Sequence, residues 1–296
     1  MRIGVAGAFV PNELDKVDEQ SVARIADLGL TGVGTHFRGD PATLPREALR
    51  RVHDQFAERG IAIVQSWGWH QPLISDDEGV RQGAVRTLGH AVRVAADLGA
   101  RAVMSGPGSF NPRGPWLPHP RNHSQGAEDA LVRSLREVVG ACEEYGVPIA
   151  LECHVVSTLD SVARVRRILD RVDSPWIKIS LDPVNFVGDF PTLWNTTAML
   201  DDLFDTLGPA IADVHIKDVR ADDGLVVHIS EAVPGEGVLD FATFFRRFEA
   251  LLPDGYGLVE HLPDELVPRA VANVRRMLGE LGIAEQSAVG GRQSAE

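Results

Sequence analysis

Cysteine is scarce in this chain: Cys142 and Cys153 are the only two in 296 residues. Their spacing fits neither a zinc ribbon nor a dithiol motif, and two such residues cannot staple a disulfide scaffold, so the usage is that of a reduced, intracellular protein. Both fall inside apolar segments and are expected in the core. Positive charge is also short. Lys and Arg number 29 against 42 Asp and Glu, for a formal net charge of -13 and a pI near 5.2. A phosphate-backbone partner requires a basic face that releases counterions, so no nucleic-acid partner is expected. No apolar run approaches bilayer length, and the chain opens on the strand-like "MRIGVAG" without a basic region leading into an apolar one. The expectation is a cytoplasmic protein with no membrane partner. Phosphate loops are missing too, since "GVAGAF" and "SGPGSF" lack the full glycine spacing and the Lys-Ser/Thr of a nucleotide cradle.

What is present is an alternation. With 44% hydrophobic residues the chain can bury one large core. Eight short apolar runs, at 2–7, 31–37, 61–67, 101–106, 148–154, 177–182, 211–218 and 257–262, are separated by amphipathic stretches such as "AVRVAADLGA" and "VRSLREVVGACEEYG". That is the pattern of βα units around a parallel sheet. Gly29, Gly60, Gly99 and Gly146 each close an amphipathic stretch just before the next run, as helix stops do. Eight strands and eight helices predict an α/β fold, a single-domain (β/α)8 TIM barrel over residues 1–284. The tail 285–296, "EQSAVGGRQSAE", has no apolar periodicity and is expected to be disordered. Two segments break the alternation. Residues 106–126 are too rich in Pro and Gly for regular structure and read as a lid or an assembly surface, with Trp116 as the apolar contact. Residues 220–238 read as a second long loop.

In such a barrel the C-terminal strand ends open into one mouth, where residues distant in sequence converge. The fifth run ends in Glu152 and His154, the sixth in Asp182 and Asn185, the seventh in "HIKD" and the eighth in Glu260 and His261. Taken singly, each acidic residue reads equally as a cap or a salt-bridge partner. Together Glu152, Asp182, His215 and Glu260 form a hard-ligand set, because three carboxylates buried at one mouth repel one another unless a divalent cation joins them. Strand alternation puts Lys217 on the face of His215 and turns Asp218 away. Lys217 is therefore expected to meet the substrate, with an ion pair to a neighbouring carboxylate as the structural alternative, and Asp218 to brace the next loop. His154 shares a face with Glu152 and reads as a substrate ligand or proton carrier. His36, Trp67, Trp69 and His70 are expected on the opposite wall, suited to a polyhydroxylated ring, or else filling the barrel top. The turn "PGEG", 234–237, either aims Glu236 or His228 at the mouth or is a plain turn.

The series Glu152, Asp182, "HIKD", "PGEG" and Glu260 resembles the sugar phosphate isomerase/epimerase family of xylose isomerase-like TIM barrels, over nearly the whole chain from Arg2 to about Gly282. The resemblance implies one divalent ion, Mn2+ or Mg2+, on the four matching positions, with Glu152 and Glu260 doubling as the acid and base that move a proton next to a carbonyl. It implies a small carbohydrate or cyclitol substrate, and the Trp116 loop leaves open a homo-oligomer or a hetero-oligomer with a small partner subunit. The reaction expected is isomerisation or epimerisation through an enediolate. Asn185 stands where ketose 3-epimerases carry His, and Thr158 where they often carry Glu. These departures keep open a dehydratase or lyase acting on a keto-sugar or inosose, including C-glycoside deglycosidase-like elimination, and a non-catalytic sugar-binding barrel.

Overall fold

The apolar runs become strands in the computed structural model, which describes residues 1–287. In chain order these are β1 (Arg2–Ala6), β2 (Gly32–His36), β3 (Ala62–Trp67), β4 (Ala102–Ser105), β5 (Ile149–Glu152), β6 (Ile177–Leu181), β7 (Ile211–Ile216), β8 (Asp218–Ala221), β9 (Ile229–Ala232) and β10 (Tyr256–Val259). Eight of them close a barrel in the order β1-β10-β7-β6-β5-β4-β3-β2, every pairing parallel. This is a single TIM-barrel domain. Its strands are buried on both faces, as parallel strands under a ring of helices must be. Ile3, Val5, Val33, Ile149, Leu151, Val214 and Ile216 all belong to the large helix-packed core. A smaller apolar cluster of Ala6, Val64, Trp67, Met104, Tyr256 and Leu258 includes two residues of the mouth itself.

The helices are α1 (Glu19–Asp27), α2 (Arg46–Ala57), α3 (Glu78–Asp97), α4 (Gln125–Tyr145), α5 (Val162–Val172), α6 (Phe190–Leu193), α7 (Thr196–Leu207), α8 (Phe241–Leu251) and α9 (Val267–Leu281). The single-turn α6 is the addition to the eight expected. On α8, Phe241, Phe244, Phe245 and Phe248 form one buried stripe at helical spacing, each stabilising the fold by about 1.5–3 kcal/mol. The four glycine stops all adopt left-handed backbone, with φ of 64 to 70°. Both cysteines are buried, and burial pushes the Cys142 thiol up to about 12 and Cys153 higher still. Neither is nucleophilic near neutral pH. No helix of the described residues is long and apolar enough to cross a membrane.

Two expectations change here. Residues 220–238 are not a plain loop, because β8 and β9 form an antiparallel hairpin from Asp218↔Ala232 to Ala221↔Ile229. Val219 and Ile229 pack against Val184, Val187 and Leu193, which gives the segment an apolar face of its own. The first residues of the tail expected to be disordered make contacts of their own. Glu285 pairs with Arg275 at 2.7 Å and the Gln286 N–H donates to the Met1 carbonyl at 2.9 Å. The rest of that tail, from 288 onward, lies outside the described residues.

Candidate active site

Strand β7 sets the site. Alternation sends Val214 and Ile216 outward into the helix layer and leaves Asp213, His215 and Lys217 as an inward column, all three buried. Around it stand Glu152 at the end of β5, Asp182 just after β6 and Glu260 just after β10. His215 Nδ1 lies 3.0 Å from Glu260 Oε2 and 3.4 Å from Glu152 Oε1. Lys217 Nζ lies 2.7 Å from Asp182 Oδ2 and 2.9 Å from Glu260 Oε2. Asp218, turned the other way, accepts N–H groups from Val219, Gly235, Gly237 and Leu239 at 2.8 to 3.0 Å. It fixes the hairpin and the turn that follows.

The electrostatics are those of crowded charge. Burial pushes each carboxyl up. At Glu260 the charges of His215 and Lys217 outweigh burial and hold it well below the usual carboxylate range, whereas Asp182 stays above its ordinary value because Lys217 only partly offsets burial. Burial likewise works against charge on His215 and Lys217, but the surrounding carboxylates win and raise both well above normal. Even so the contacts are incomplete. Asp182 Oδ2, His215 Nδ1 and Glu260 Oε2 have no aligned hydrogen-bond partner although all are buried; the Lys217 and imidazole contacts are ion contacts at poor angles. One donor atom from each of Glu152, Asp182, His215 and Glu260 lies within 4.8 Å of the other three. Three clustered atoms without an aligned hydrogen bond, from a set of three carboxylates and an imidazole, fit a divalent cation.

Supporting groups fix that geometry. His215 Nε2 is 3.2 Å from both Ser180 Oγ and the Gln65 amide, and Asp213 accepts from Ser180 Oγ and Gln65 Nε2 at 2.6 Å. This buried layer leaves Nδ1 as the nitrogen that faces the carboxylates. Asn185 donates to Glu152 Oε1 at 3.1 Å. His154 Nδ1 accepts the Val156 N–H at 3.2 Å, so its Nε2 is free for the mouth.

The mouth is a cavity of about 440 Å³ whose lining includes Glu152, His154, Asn185 and Glu260 on one side and His36, Trp67 and His70 on the other. His36 lies parallel to Trp67 with centroids 5.8 Å apart, and burial lowers the pKa of His36 and takes His70 down to about 4. Trp116 joins this wall, edge-on to His70 at 5.0 Å, so the 106–126 segment folds over the mouth. Buried Asn122 anchors the segment: its Nδ2 donates to Ser109 Oγ and the Val156 carbonyl, and its Oδ1 accepts the Phe110 N–H. Gly106 gives the indole its place, since a Cβ there would overlap the Trp116 ring.

Three expected residues lie elsewhere. Trp69 packs in the core with Nε1 on the Gly39 carbonyl at 3.0 Å. Gly68, at φ 125°, breaks the alternation after Trp67, and Trp69 turns outward into the helix-packed core while His70 reaches the mouth. Glu236 is held by Arg269 on α9, and His228 is exposed beside the hairpin; neither lines the mouth. Two ionisable lining residues had no expected role: Glu231, which was not expected at the mouth, and His261, named only as a strand-end residue. Glu231 on β9 is 3.0 Å from His261 Nδ1, which is itself 3.0 Å from Lys217 Nζ. His261 returns to the mouth because its backbone is left-handed, φ 57°, where alternation alone would turn it away.

The model of the xylose isomerase-like TIM barrel matches residues 22–278. The chain belongs to that family. Among its relatives, the L-ribulose-5-phosphate 3-epimerase UlaE of Shigella flexneri is 25% identical over 62% of this chain and 57% of its own length. The chain thus spans little more than half of that epimerase. The inosose dehydratase of Geobacillus kaustophilus is 21% identical over 84% of this chain and 81% of its own length. A xylose isomerase-like TIM barrel protein from Mycobacterium smegmatis, solved in complex with magnesium, has a TM-score of 0.70 at 15% identity, covering 95% of this chain and 96% of that one. At that identity the likeness is one of fold.

Proposed function

We infer that this family member is a divalent-metal-dependent sugar or cyclitol isomerase or epimerase that abstracts a proton next to a carbonyl through an enediolate. The observation that carries the reading is the clustering of the buried Glu152, Asp182, His215 and Glu260, with donor atoms within 4.8 Å of one another and three such side-chain atoms lacking an aligned hydrogen bond. When bound there, Mn2+ or Mg2+ supplies Lewis-acid polarisation of a carbonyl and its neighbouring hydroxyl. Glu152 and Glu260 reach the mouth, and each carboxylate has a second oxygen with which to take or return the proton. Lys217, 2.9 Å from Glu260, stabilises the charge that develops on the substrate oxygen. Asn185 holds Glu152 in place, and His154 meets a substrate hydroxyl. His36, Trp67, His70 and Trp116 cover the far face of the ring and exclude water. The partner is a small carbohydrate or cyclitol and the setting cytoplasmic.

Elimination is the second reading. The match to an inosose dehydratase over 84% of the chain supports it, and the first proton abstraction is shared. Both are tested with a panel of ketoses, inososes and 3-keto-glycosides, incubated with Mn2+-loaded protein in heavy water and, after chelation, followed by NMR. Deuterium next to the carbonyl is expected, with release of a β-substituent marking elimination. A panel without exchange at any carbon would sink both readings.

A further inference from the structure

The cavity's charge says which carbohydrates it takes. Among the described residues its lining contains no arginine, and the one lysine at the site, Lys217, is 2% exposed and already paired with Asp182 and Glu260, which leaves its charge for the reacting oxygen and not for a separate phosphate. Arg38 acts on His36 electrostatically but stays outside the lining, with its side chain 69% exposed and 3.8 Å from Glu13. A divalent cation and the Lys217 ammonium together balance Glu152, Asp182 and Glu260. What remains is Glu231, a carboxylate on the rim with a side chain 44% exposed, 3.0 Å from His261 Nδ1 and only at the 3.5 Å margin of Lys217 Nζ. The lining therefore presents acceptors and imidazoles to hydroxyl groups, and has no fork of donors of the kind that binds a phosphate.

We propose that the mouth takes uncharged carbohydrates and not sugar phosphates, and that Glu231 is the residue that selects them, accepting a substrate hydroxyl and repelling an anionic group. The proposal rests on the carbohydrate reading above and narrows it to a substrate class different from the phosphorylated one in the name of the matched epimerase. Glu231 stands outside the four-residue cation cluster, on a two-stranded hairpin, so its replacement leaves the barrel and the cation site in place.

The test compares ribitol with ribitol 5-phosphate as ligands of the Mg2+-loaded protein by calorimetry, in wild type and Glu231→Gln. Because binding is read without turnover, it is separable from the proton-transfer reading. Wild type is expected to favour ribitol by about tenfold or more, and Glu231→Gln to narrow that ratio by about tenfold, as loss of one partly screened charge does. Tighter binding of the phosphate to wild type would overturn the proposal, as would an unchanged ratio in Glu231→Gln. Phosphate binding that Arg38→Ala abolishes would place an anion site on the rim and overturn it equally. Ribitol binding without hydrogen exchange into any sugar of the panel would leave this proposal standing while the chemistry failed.

Discussion

The two walls of the mouth are built on different principles. The wall from β5, β6, β7 and β10 places charge with rigid strand ends: Glu152, Asp182, His215, Lys217 and Glu260 are all 6% exposed or less. The wall from β2, β3 and the 106–126 segment adds loops to strand ends: His36 and Trp67 end their strands, while His70 and Trp116 are placed by a glycine break at Gly68 and an Asn122 anchor. Strand ends hold donor atoms to within a few tenths of an ångström, as a cation site demands; loops can cover, discriminate and move. One wall accordingly reads as chemistry and the other as recognition.

The sharpest way to break that division is to remove the imidazole. His215→Ala should abolish hydrogen exchange, a loss of about 1,000-fold or more, because polarisation of the carbonyl disappears with the cation. Near-wild-type exchange by NMR would place the chemistry elsewhere. Lys217→Met separates charge from ligation on the same strand: cation content should hold while turnover falls about 100-fold. Normal turnover on the preferred substrate would make Lys217 a structural ion-pair residue, the alternative its contacts to Asp182 and Glu260 also allow. On the other wall, Trp116→Ala should leave the circular dichroism and cation content unchanged and lower kcat/KM by about tenfold, mostly through KM, the size of a lost aromatic contact. A pure kcat effect would move Trp116 from recognition to chemistry.

The smallest effect concerns His70. Its folded pKa, lowered to about 4 by burial, lies below the ordinary 6.5. The unfolded chain therefore binds a proton that the folded one refuses, so this stability is fully present above pH 6.5 and is lost as pH falls toward 4. At about 1.36 kcal/mol per pH unit the full contribution is on the order of 3 kcal/mol. His70→Gln should flatten the urea-unfolding free energy between pH 6.5 and 4 relative to wild type. An equally steep curve would show that the ring is hydrated.

How legible each wall is in the sequence follows from the same contrast. The barrel and the acidic wall are written in short apolar runs ending at or near Glu152, Asp182, His215 and Glu260, since a strand end in this fold has one place to point. Asp218 is legible for that reason too: alternation turns it outward, and it does hold the following turn. The rest depends on backbone that leaves the alternation. His261 reaches the mouth through a left-handed residue, and Trp69 misses it through Gly68. Glu231 depends on a hairpin register, Val219↔Glu231, that nothing local in "VVHISEAV" announces. Glu236 looked free in "PGEG" because its partner, Arg269, lies 33 residues further on.

The central claim is that the strand-end wall holds one divalent cation, and bound metal measures it most directly. Protein stripped with chelator, incubated with Mn2+ and desalted should carry one Mn2+ per chain by elemental analysis. His215→Ala, with unchanged circular dichroism, should carry none. Wild type that emerges without Mn2+, or His215→Ala that retains a full equivalent, would contradict the account.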